Sequence, residues 1–262
     1  MSNFSEQYGP WALVTGAAEG LGAAFAMHIA QQGVHVVLAD VQSDKAQSQA
    51  TLIADKTGVK TLAIETDLAS ADFMASLTLQ LKDLEIGLLV CCAGIGATGS
   101  FVDTPLAIMQ KAIQVNCMAT ISLAHHYTPP MIKRAKGGII IVASTSAYAG
   151  APYIANYAAT KAYDLSLAEA LWYELAPSGI DVLGFSPHGT NTPGFRRGMP
   201  SIKEGDTPVG VMLPEAAVAV AFKALGRLPS TRPDLPENMS VTRQKIIQAA
   251  GDFTRNLATY QE

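Results

Sequence analysis

A glycine-rich run near the N-terminus constrains the fold of this chain more than any other feature. The run spans residues 16–22, follows the apolar segment Trp11–Thr15 and precedes a helical pattern that continues to about Gln32. Glycines between a strand and a helix let backbone amides and the positive end of the helix dipole approach a diphosphate. The run therefore predicts the start of a dinucleotide-binding fold, with an ordinary glycine-rich turn as the alternative.

The spacing of the glycines and of the next acidic residue fits that interpretation. We expect Gly16 to form the tight turn, Gly20 to let the backbone approach the diphosphate and Gly22 to allow close helix packing. Asp40 ends the next apolar run, eighteen residues after Gly22. An acid meets the adenosine ribose hydroxyls at an offset of about 20 residues, so we expect this role for Asp40, with a helix cap as the alternative.

The charges around the predicted diphosphate site predict NAD as the cofactor. Glu19 lies within the glycine run, and Val41 rather than an arginine or lysine follows Asp40. Two carboxylates repel a 2′-phosphate in a partly dry site. We therefore expect a preference for NAD over NADP.

Short β-rich runs alternate with longer helical segments, which is typical of a parallel sheet with crossover helices. Further strands are predicted at 34–40, 60–66, 87–92, 138–144 and 180–185, and helices at 43–57, 70–84, 105–133, 156–176, 214–226 and 241–257. Right-handed crossovers place helices on both faces of the sheet. The pattern predicts an α/β fold, a Rossmann-type doubly wound parallel sheet in three layers, α/β/α, with ligands at the carboxyl ends of the strands.

We expect a single domain over residues 1–262, because α/β domains of roughly 200–250 residues commonly fold as one unit. Residues 190–212 contain several Gly and Pro and little periodicity. A loop of that length in a compact domain is usually functional, so we expect a lid over the substrate. Residues 228–240 show no convincing last strand, and the C-terminal segment at 241–257 is predicted to be helical.

The composition narrows the class of protein. With 49% hydrophobic and 15% charged residues the chain can bury a large core, and its net charge of −4 argues against nucleic-acid binding. No apolar stretch approaches the roughly 20 residues that a membrane span needs, and residues 1–10 show no secretory signal. The three cysteines form no ligand cluster with histidine, so we expect a cytoplasmic protein with reduced thiols and no metal site.

A tyrosine and a lysine lie one helical turn apart in the helix predicted at 156–176. Tyr157 and Lys161 share a face, and an ammonium stabilises a phenolate whose reference pKa is about 10. A surface pair is the alternative. Ser144 ends a strand at the expected cofactor edge, where it could also serve as a cap. Asn116 interrupts an apolar part of a helix, and a buried amide there requires hydrogen-bond partners.

These motifs occur together in the order and spacing of one known family. TGAAEGLG at 15–22, Asp40, Asp67-Leu68, Asn116, Ser144, YAATK at 157–161 and Ser186-Pro187 resemble the short-chain dehydrogenase/reductase family. The resemblance covers about residues 10–195. It implies an oxidoreductase that moves a hydride between nicotinamide and an alcohol or carbonyl carbon.

The resemblance also implies a role for each residue. Tyr157 is the general acid/base, and Ser144 hydrogen-bonds the substrate oxygen. Lys161 holds the nicotinamide ribose and lowers the pKa of Tyr157, while Asn116 supports a water-linked proton path. The residues implied at the cofactor are Gly16, Glu19, Gly20, Leu21, Gly22, Asp40, Asp67, Leu68, Cys92, Ala93, Gly94, Tyr157, Lys161, Pro187, Gly189, Thr190 and Thr192. Among these, Asp67 and Leu68 flank the adenine, and Pro187 and Thr192 border the carboxamide.

Two positions depart from the family's pattern. Cys91-Cys92 stand where two asparagines are usual, so we expect the bracing of the sheet to change there. We expect the thiols to be inert, because no basic neighbour lowers their pKa; redox sensing is the alternative. His188 stands where a glycine is usual, and it either contacts substrate or faces solvent.

The residues implied around the substrate are mostly apolar and favour a hydrophobic alcohol or ketone. They are Ser144, Ala147, Tyr153, Tyr157, His188, Phe195 and Met199. Arg196 and Arg197 either attract an anionic tail of the substrate or form a solvated pair.

Family likeness further implies a homodimer or homotetramer formed through the helices at 105–133 and 156–176. Two other functions use the same fold. One is an enzyme that reduces a C=C bond or epimerises a sugar, and the other is a non-catalytic NAD-binding regulator. The intact Ser144, Tyr157 and Lys161 disfavour the regulator.

Overall fold

The α/β fold predicted from the sequence is confirmed by the computed structural model, which describes residues 4–234 and 237–258. Seven parallel strands form one sheet in the order β3-β2-β1-β4-β5-β6-β9. The strands are β1 (Trp11–Thr15), β2 (His35–Asp40), β3 (Thr61–Glu65), β4 (Ile86–Cys91), β5 (Gly137–Val142), β6 (Ile180–Phe185) and β9 (Ser230–Thr231); β7 (Gly189–Thr190) and β8 (Val211–Met212) pair separately.

Helices cover both faces of the sheet. They are α1 (Phe4–Tyr8), α2 (Gly20–Gln31), α3 (Ser43–Thr57), α4 (Phe73–Gln80), α5 (Leu106–Ile113), α6 (Ala119–Arg134), α7 (Ala155–Leu175), α8 (Pro193–Gly198), α9 (Pro214–Ala224) and α10 (Glu237–Ala258). Because successive strand side chains point to opposite faces, the core has two parts. Val14 packs with Phe25 on one face, and Leu13 packs with Leu123 on the other.

The order of the strands decides where a ligand can bind. The chain proceeds from β1 outward through β2 and β3, then returns to pair β4 on the other side of β1. This reversal leaves a crevice outside the carboxyl ends of β1 and β4, which is the usual ligand position in such sheets. The glycine run and the residues after β4 therefore meet at the same place.

The structure corrects the expected edge of the sheet. The sequence predicts no strand at 228–240, but Ser230 and Thr231 pair in parallel with Gly184 and Phe185 of β6. A strand of two residues is too short to carry a period-2 pattern, and its pairing partner supplies the hydrogen bonds. The first helix, α1, was also not predicted.

The expected lid at 190–212 contains regular structure. Helix α8 begins at Pro193, and the short strands β7 and β8 bracket the segment by pairing Gly189 with Val211. The predicted helix at 105–133 contains a π-helical turn at Gln114–Met118 between α5 and α6. A π-bulge frequently marks a functional position, and here it holds Asn116.

The C-terminal helix begins earlier than predicted, at Glu237, and it packs on α7. Arg243 of α10 forms an ion pair with Glu169 of α7. Across residues 4–234 and 237–258, no helix is long and apolar enough to cross a bilayer. The same part of the chain holds no cluster of potential metal ligands.

Candidate active site

The glycine run forms a backbone cradle in which side chains do not fit. A Cβ atom on Gly22 would lie 2.0 Å from the carbonyl oxygen of Gly16, and one on Gly16 would lie 2.8 Å from the Cα of Ala93. Gly16 and Gly20 also have positive φ angles of 67° and 63°, a conformation that favours glycine. Since α2 begins at Gly20, the cradle presents amides and a helix N-terminus, which fits a diphosphate.

A cleft runs from this cradle along the carboxyl ends of β1, β2 and β4. Many residues predicted to hold the cofactor line it: Gly16, Glu19, Leu21, Gly22, Asp40, Asp67, Leu68, Cys92, Ala93 and Gly94. Gly20 lies against Thr192 instead, because a Cβ on Gly20 would be 2.9 Å from the Thr192 side chain. The short β7 carries Gly189 and Thr190 beside this segment, and the Pro187 carbonyl accepts the amide of Thr145.

Asp40 is buried at the end of β2 and is held by two backbone amides. Its Oδ2 accepts from the amide of Ala18 at 3.0 Å, and its Oδ1 accepts from the amide of Gln42 at 2.9 Å. Each carboxylate oxygen has a further lone pair, and the side chain lines the cleft. The carboxylate thus braces the glycine loop, while its contact with a ribose stays a prediction.

Glu19 has cationic partners that the sequence argument overlooked. Lys45 and Arg197 each donate to its carboxylate at 2.9 Å. Burial alone would raise the pKa of Glu19, but hydrogen bonds from the two cations outweigh it and lower that pKa. The expectation that no arginine or lysine lies near the site of a 2′-phosphate is therefore wrong, since ion pairs here join positions far apart in the chain.

The two cysteines that replace asparagines leave the end of β4 braced. The Thr15 hydroxyl accepts the amides of Cys92 and Ala93 at 3.1 and 3.2 Å. It also lies 3.4 Å from the carbonyl of Val90. These hydrogen bonds fix the end of β4 to Thr15 of β1. The expected change in bracing therefore takes the form of hydrogen bonds to a threonine that was not among the predicted site residues.

The thiols lie close to a basic group, contrary to expectation. Burial raises the pKa of Cys92 to about 12, although the charge of Lys161 acts in the opposite direction. Burial likewise raises the pKa of Cys91 far above its usual value. The expectation that no basic group lies near the thiols is therefore wrong. Burial nevertheless keeps both thiols protonated, which suppresses thiolate chemistry.

Tyr157 and Lys161 lie on α7 with the lysine wholly inside the protein. The Lys161 ammonium is 4% exposed and donates to the Val142 carbonyl at 2.7 Å and to Asp164 Oδ2 at 3.0 Å. A Cβ on Gly94 would lie 3.3 Å from its Nζ, so the ammonium is at the wall of the cleft. Burial alone would lower the pKa of Lys161, but the charges of Asp164 and Tyr157 raise it overall.

Asn116 is fully buried, and its amide is fully partnered, as predicted. Its Oδ1 accepts the amide of Ile95 at 2.9 Å, and its Nδ2 donates to the Ile95 carbonyl at 2.9 Å and to the Thr160 hydroxyl at 2.8 Å. The Asn116 carbonyl accepts from Thr120 at 2.7 Å. This side chain thus ties the loop after β4 to α7, next to Tyr157.

Close contacts fix the positions of Ser144 and of the Tyr157 ring. Ser144 directly precedes the turn Thr145–Tyr148, and its hydroxyl accepts the amide of Ser146 at 3.2 Å. A Cβ on Gly96 would lie 2.7 Å from Cδ2 of the Tyr157 ring. Because Gly96 has no side chain, the ring of Tyr157 can pack directly against the backbone at this position.

The residues predicted around the substrate are spread over three segments. Tyr153 is 71% exposed and has a φ angle of 65°, and Met199 is 48% exposed. Phe195 packs on Gly189, and Ala147 belongs to the turn after Ser144. His188 Nε2 lies 2.8 Å from Asp234, a partner that neither expectation for this histidine included.

The two arginines of α8 have partners within the chain. Arg196 donates to Asn191 Oδ1 at 2.8 Å and lies 3.7 Å from Glu204. Arg197 pairs with Glu19. Both side chains thus connect the expected lid to other residues of the chain. The two alternatives from the sequence, an attraction for an anionic substrate tail and a solvated pair, did not include these partners.

Sequence reasoning missed Asp164, although a signal was present. Asp164 follows Lys161 by three positions and therefore shares its face of the helix. An acid on the buried face of a helix indicates a charged or hydrogen-bonding partner. Gly96 carried no such signal, because its role depends on a contact made only in the folded chain.

A Rossmann sheet, a diphosphate cradle and a Tyr–Lys pair at the cleft define a nicotinamide-dependent oxidoreductase as the class of protein, and comparisons with known proteins agree. The short chain dehydrogenase family matches residues 10–200. A 7beta-hydroxysteroid dehydrogenase of Clostridium sardiniense is 30% identical over 262 aligned residues, covering 98% of this chain and 100% of that protein.

Solved structures give the same assignment. One from work on 7beta-hydroxysteroid dehydrogenase stereoselectivity matches with a TM-score of 0.82 at 28% identity, covering 93% of this chain and 94% of that chain. A short-chain dehydrogenase from Sphingobium yanoikuyae in complex with NADPH matches with a TM-score of 0.79 at 28% identity, covering 91% and 95%. This chain belongs to the short-chain dehydrogenase family, whose members use a nicotinamide dinucleotide.

Proposed function

We propose that this protein interconverts a bulky, hydrophobic secondary alcohol and its ketone with NAD, using Tyr157 as the general acid/base. The observation that carries the proposal is the Tyr157–Lys161 pair on α7, with the buried ammonium at the wall of the cleft under Gly94. A bound nicotinamide supplies the acceptor or donor of hydride. The chain's residues bind it, orient the substrate and move one proton.

The proton step depends on the charge of Lys161. Tyrosine is a poor base at neutral pH because its reference pKa is about 10. The nearby ammonium stabilises the phenolate, so Tyr157 can take the hydroxyl proton from the alcohol or return it to the ketone. Ser144 donates a hydrogen bond to the substrate oxygen, and Asn116 keeps the loop after β4 in register with α7.

NAD is proposed over NADP on the charge of Asp40. The two positive charges of Lys45 and Arg197 outnumber the single negative charge of Glu19, so the preference rests on the buried carboxylate of Asp40 at the end of β2. Its negative charge repels a 2′-phosphate, while its free lone pairs suit two ribose hydroxyls. The relative from Sphingobium yanoikuyae binds NADPH. A kcat/KM for NADP equal to or above that for NAD would refute the proposal.

The proposed substrate class rests on exposed apolar side chains of the loop that packs on Tyr153. The loop after β4 carries Phe101 and Val102, which are 66% and 86% exposed. The amide of Gly99 donates to the carbonyl of Tyr153 at 2.8 Å, so these side chains lie on the same rim as Tyr153. An exposed apolar patch of this kind suits a large apolar ligand, and steroid-sized alcohols match the named activity of the relative from Clostridium sardiniense.

We further propose a homo-oligomer formed through α5, α6 and α7. Leu106, Ile113 and Ile132 on α5 and α6 are large apolar side chains that are 67%, 44% and 42% exposed. Burying them against a second copy removes apolar surface from water. Light scattering that finds a monomer would exclude this assembly.

The deciding experiment compares two tyrosines on one helix. A panel of hydroxysteroids, acyclic secondary alcohols and polyols is assayed with NAD by following reduced nicotinamide. Tyr157→Phe should lower kcat by at least about 10²-fold with the Kd for NAD largely kept. Tyr163→Phe makes the same change on the same helix and should leave kcat near wild type. Near-normal turnover of Tyr157→Phe, or best turnover on polyols, would contradict the proposal.

A further inference from the structure

Asp164 is a buried carboxylate beside the lysine of the proposed reaction. The side chain is 1% exposed, and its Oδ2 lies 3.0 Å from the Lys161 ammonium. Its Oδ1 is buried and has no hydrogen-bond partner among the described residues. A half-partnered buried ion pair gives little stability compared with apolar side chains of the same size, so packing does not explain an acid at this position.

Asp164 is the acidic partner of this pair: burial raises its pKa, while the charge and the hydrogen bond of Lys161 act in the opposite direction. Tyr157 and Tyr163 approach from α7 itself, Cys91 and Cys92 from the end of β4, and Cys117 from the π-helical turn. Burial raises the pKa of each thiol, to about 11 for Cys117, so the thiols are neutral near pH 7. Within the described part of the chain, Asp164 is the carboxylate whose charge acts on Lys161.

We propose that Asp164 is a positioning residue that holds the Lys161 ammonium and offsets part of its attraction for the Tyr157 phenolate. The Asp164 carboxylate and the Val142 carbonyl take two of the three ammonium hydrogens, which fixes the direction of the third. The inference rests on the proposed function, since it concerns the pH at which Tyr157 gives up its proton.

Removing the charge of Asp164 should strengthen the attraction between the Lys161 ammonium and the Tyr157 phenolate. Coulomb attraction between ammonium and phenolate is reduced by a carboxylate on the ammonium, and Asp164→Asn abolishes that charge at constant shape. Lys161 keeps its proton in the variant, because the Val142 carbonyl and the new amide oxygen both accept from it. The phenolate then faces an uncompensated cation, which stabilises it more strongly.

The test is the pH dependence of kcat/KM in both directions at saturating cofactor. The acid limb of alcohol oxidation and the alkaline limb of ketone reduction both report the Tyr157 proton. In Asp164→Asn both limbs should move together to lower pH by about one unit. A role in folding alone would change activity without moving the two limbs in concert.

Glu169→Gln is the matched control. It removes another buried carboxylate of α7, about two helical turns from Lys161, and should leave both limbs in place. If Asp164→Asn does not fold, Asp164→Ser removes the charge instead and keeps an oxygen atom that can accept a hydrogen bond. Unmoved limbs, or limbs that move to higher pH, overturn the inference. Near-normal turnover of Tyr157→Phe overturns the proposed function instead, so the two failures are distinct.

Discussion

Replacing Gly96 with alanine should displace the phenol of Tyr157. The added methyl would lie 2.7 Å from Cδ2, 3.0 Å from Cγ and 3.1 Å from Cβ of Tyr157. Carbon atoms in contact are normally about 3.5–4.0 Å apart, so the ring must retreat by about 0.8 Å. The loop cannot easily yield, because Ile95 is fixed by two hydrogen bonds to Asn116.

A shift of this size matters because acid–base catalysis depends on position. A misplacement of about 1 Å can cost about 10²-fold in rate, so we expect kcat of Gly96→Ala to fall by about 10–100-fold. The Kd for NAD should change little, since the methyl contacts Tyr157. Steady-state rates with the best alcohol from the panel, and fluorescence titration with NAD, separate these effects.

Gly150→Ala is the matched control for this prediction. Gly150 lies between Ser144 and Tyr157, and a Cβ there would meet no atom within 4 Å. This variant should keep kcat and the melting temperature of the wild type. A folded Gly96→Ala enzyme with kcat within about twofold of the wild type would refute the contact argument.

Three further outcomes follow from the geometry. Gly20→Ala forces a side chain into a positive φ and places it 2.9 Å from Thr192, so the Kd for NAD measured by titration should rise about tenfold; an unchanged Kd contradicts this. Burial raises the pKa of Cys92 to about 12, so iodoacetamide at neutral pH should label it much more slowly in the native protein than after unfolding, as judged by mass spectrometry, and equal rates would contradict this. Arg243→Ala leaves the buried Glu169 without its cation and should lower the free energy of unfolding by about 2 kcal/mol in urea, whereas an equal urea midpoint would mean that the pair contributes nothing.

Much of the site could be predicted because its parts lie at fixed local spacings. Gly16, Gly20 and Gly22 lie within seven consecutive residues, and Tyr157 and Lys161 are one helical turn apart, so local spacing alone brings each set together. The fully partnered amide of Asn116 followed from a polar residue in an apolar stretch. These expectations needed no knowledge of which distant segments touch.

Expectations that depended on distant contacts were the ones that failed. Glu19 seemed to be an uncompensated anion, yet Lys45 and Arg197 pair with it. The thiols seemed far from any base, yet the fold brings Lys161 near both. The strand at Ser230–Thr231 exists only because β6 offers an unpaired edge.

The sequence by itself determined the α/β class, the order of the elements and the position of the glycine cradle, since these depend on hydrophobic period and on backbone freedom within a few residues. Only the tertiary structure decided which charges meet. Asp164 joins Lys161 inside the protein, and Arg197 crosses from α8 to Glu19. Coulomb interactions depend on distance in space and on burial, and neither quantity is encoded by spacing along the chain.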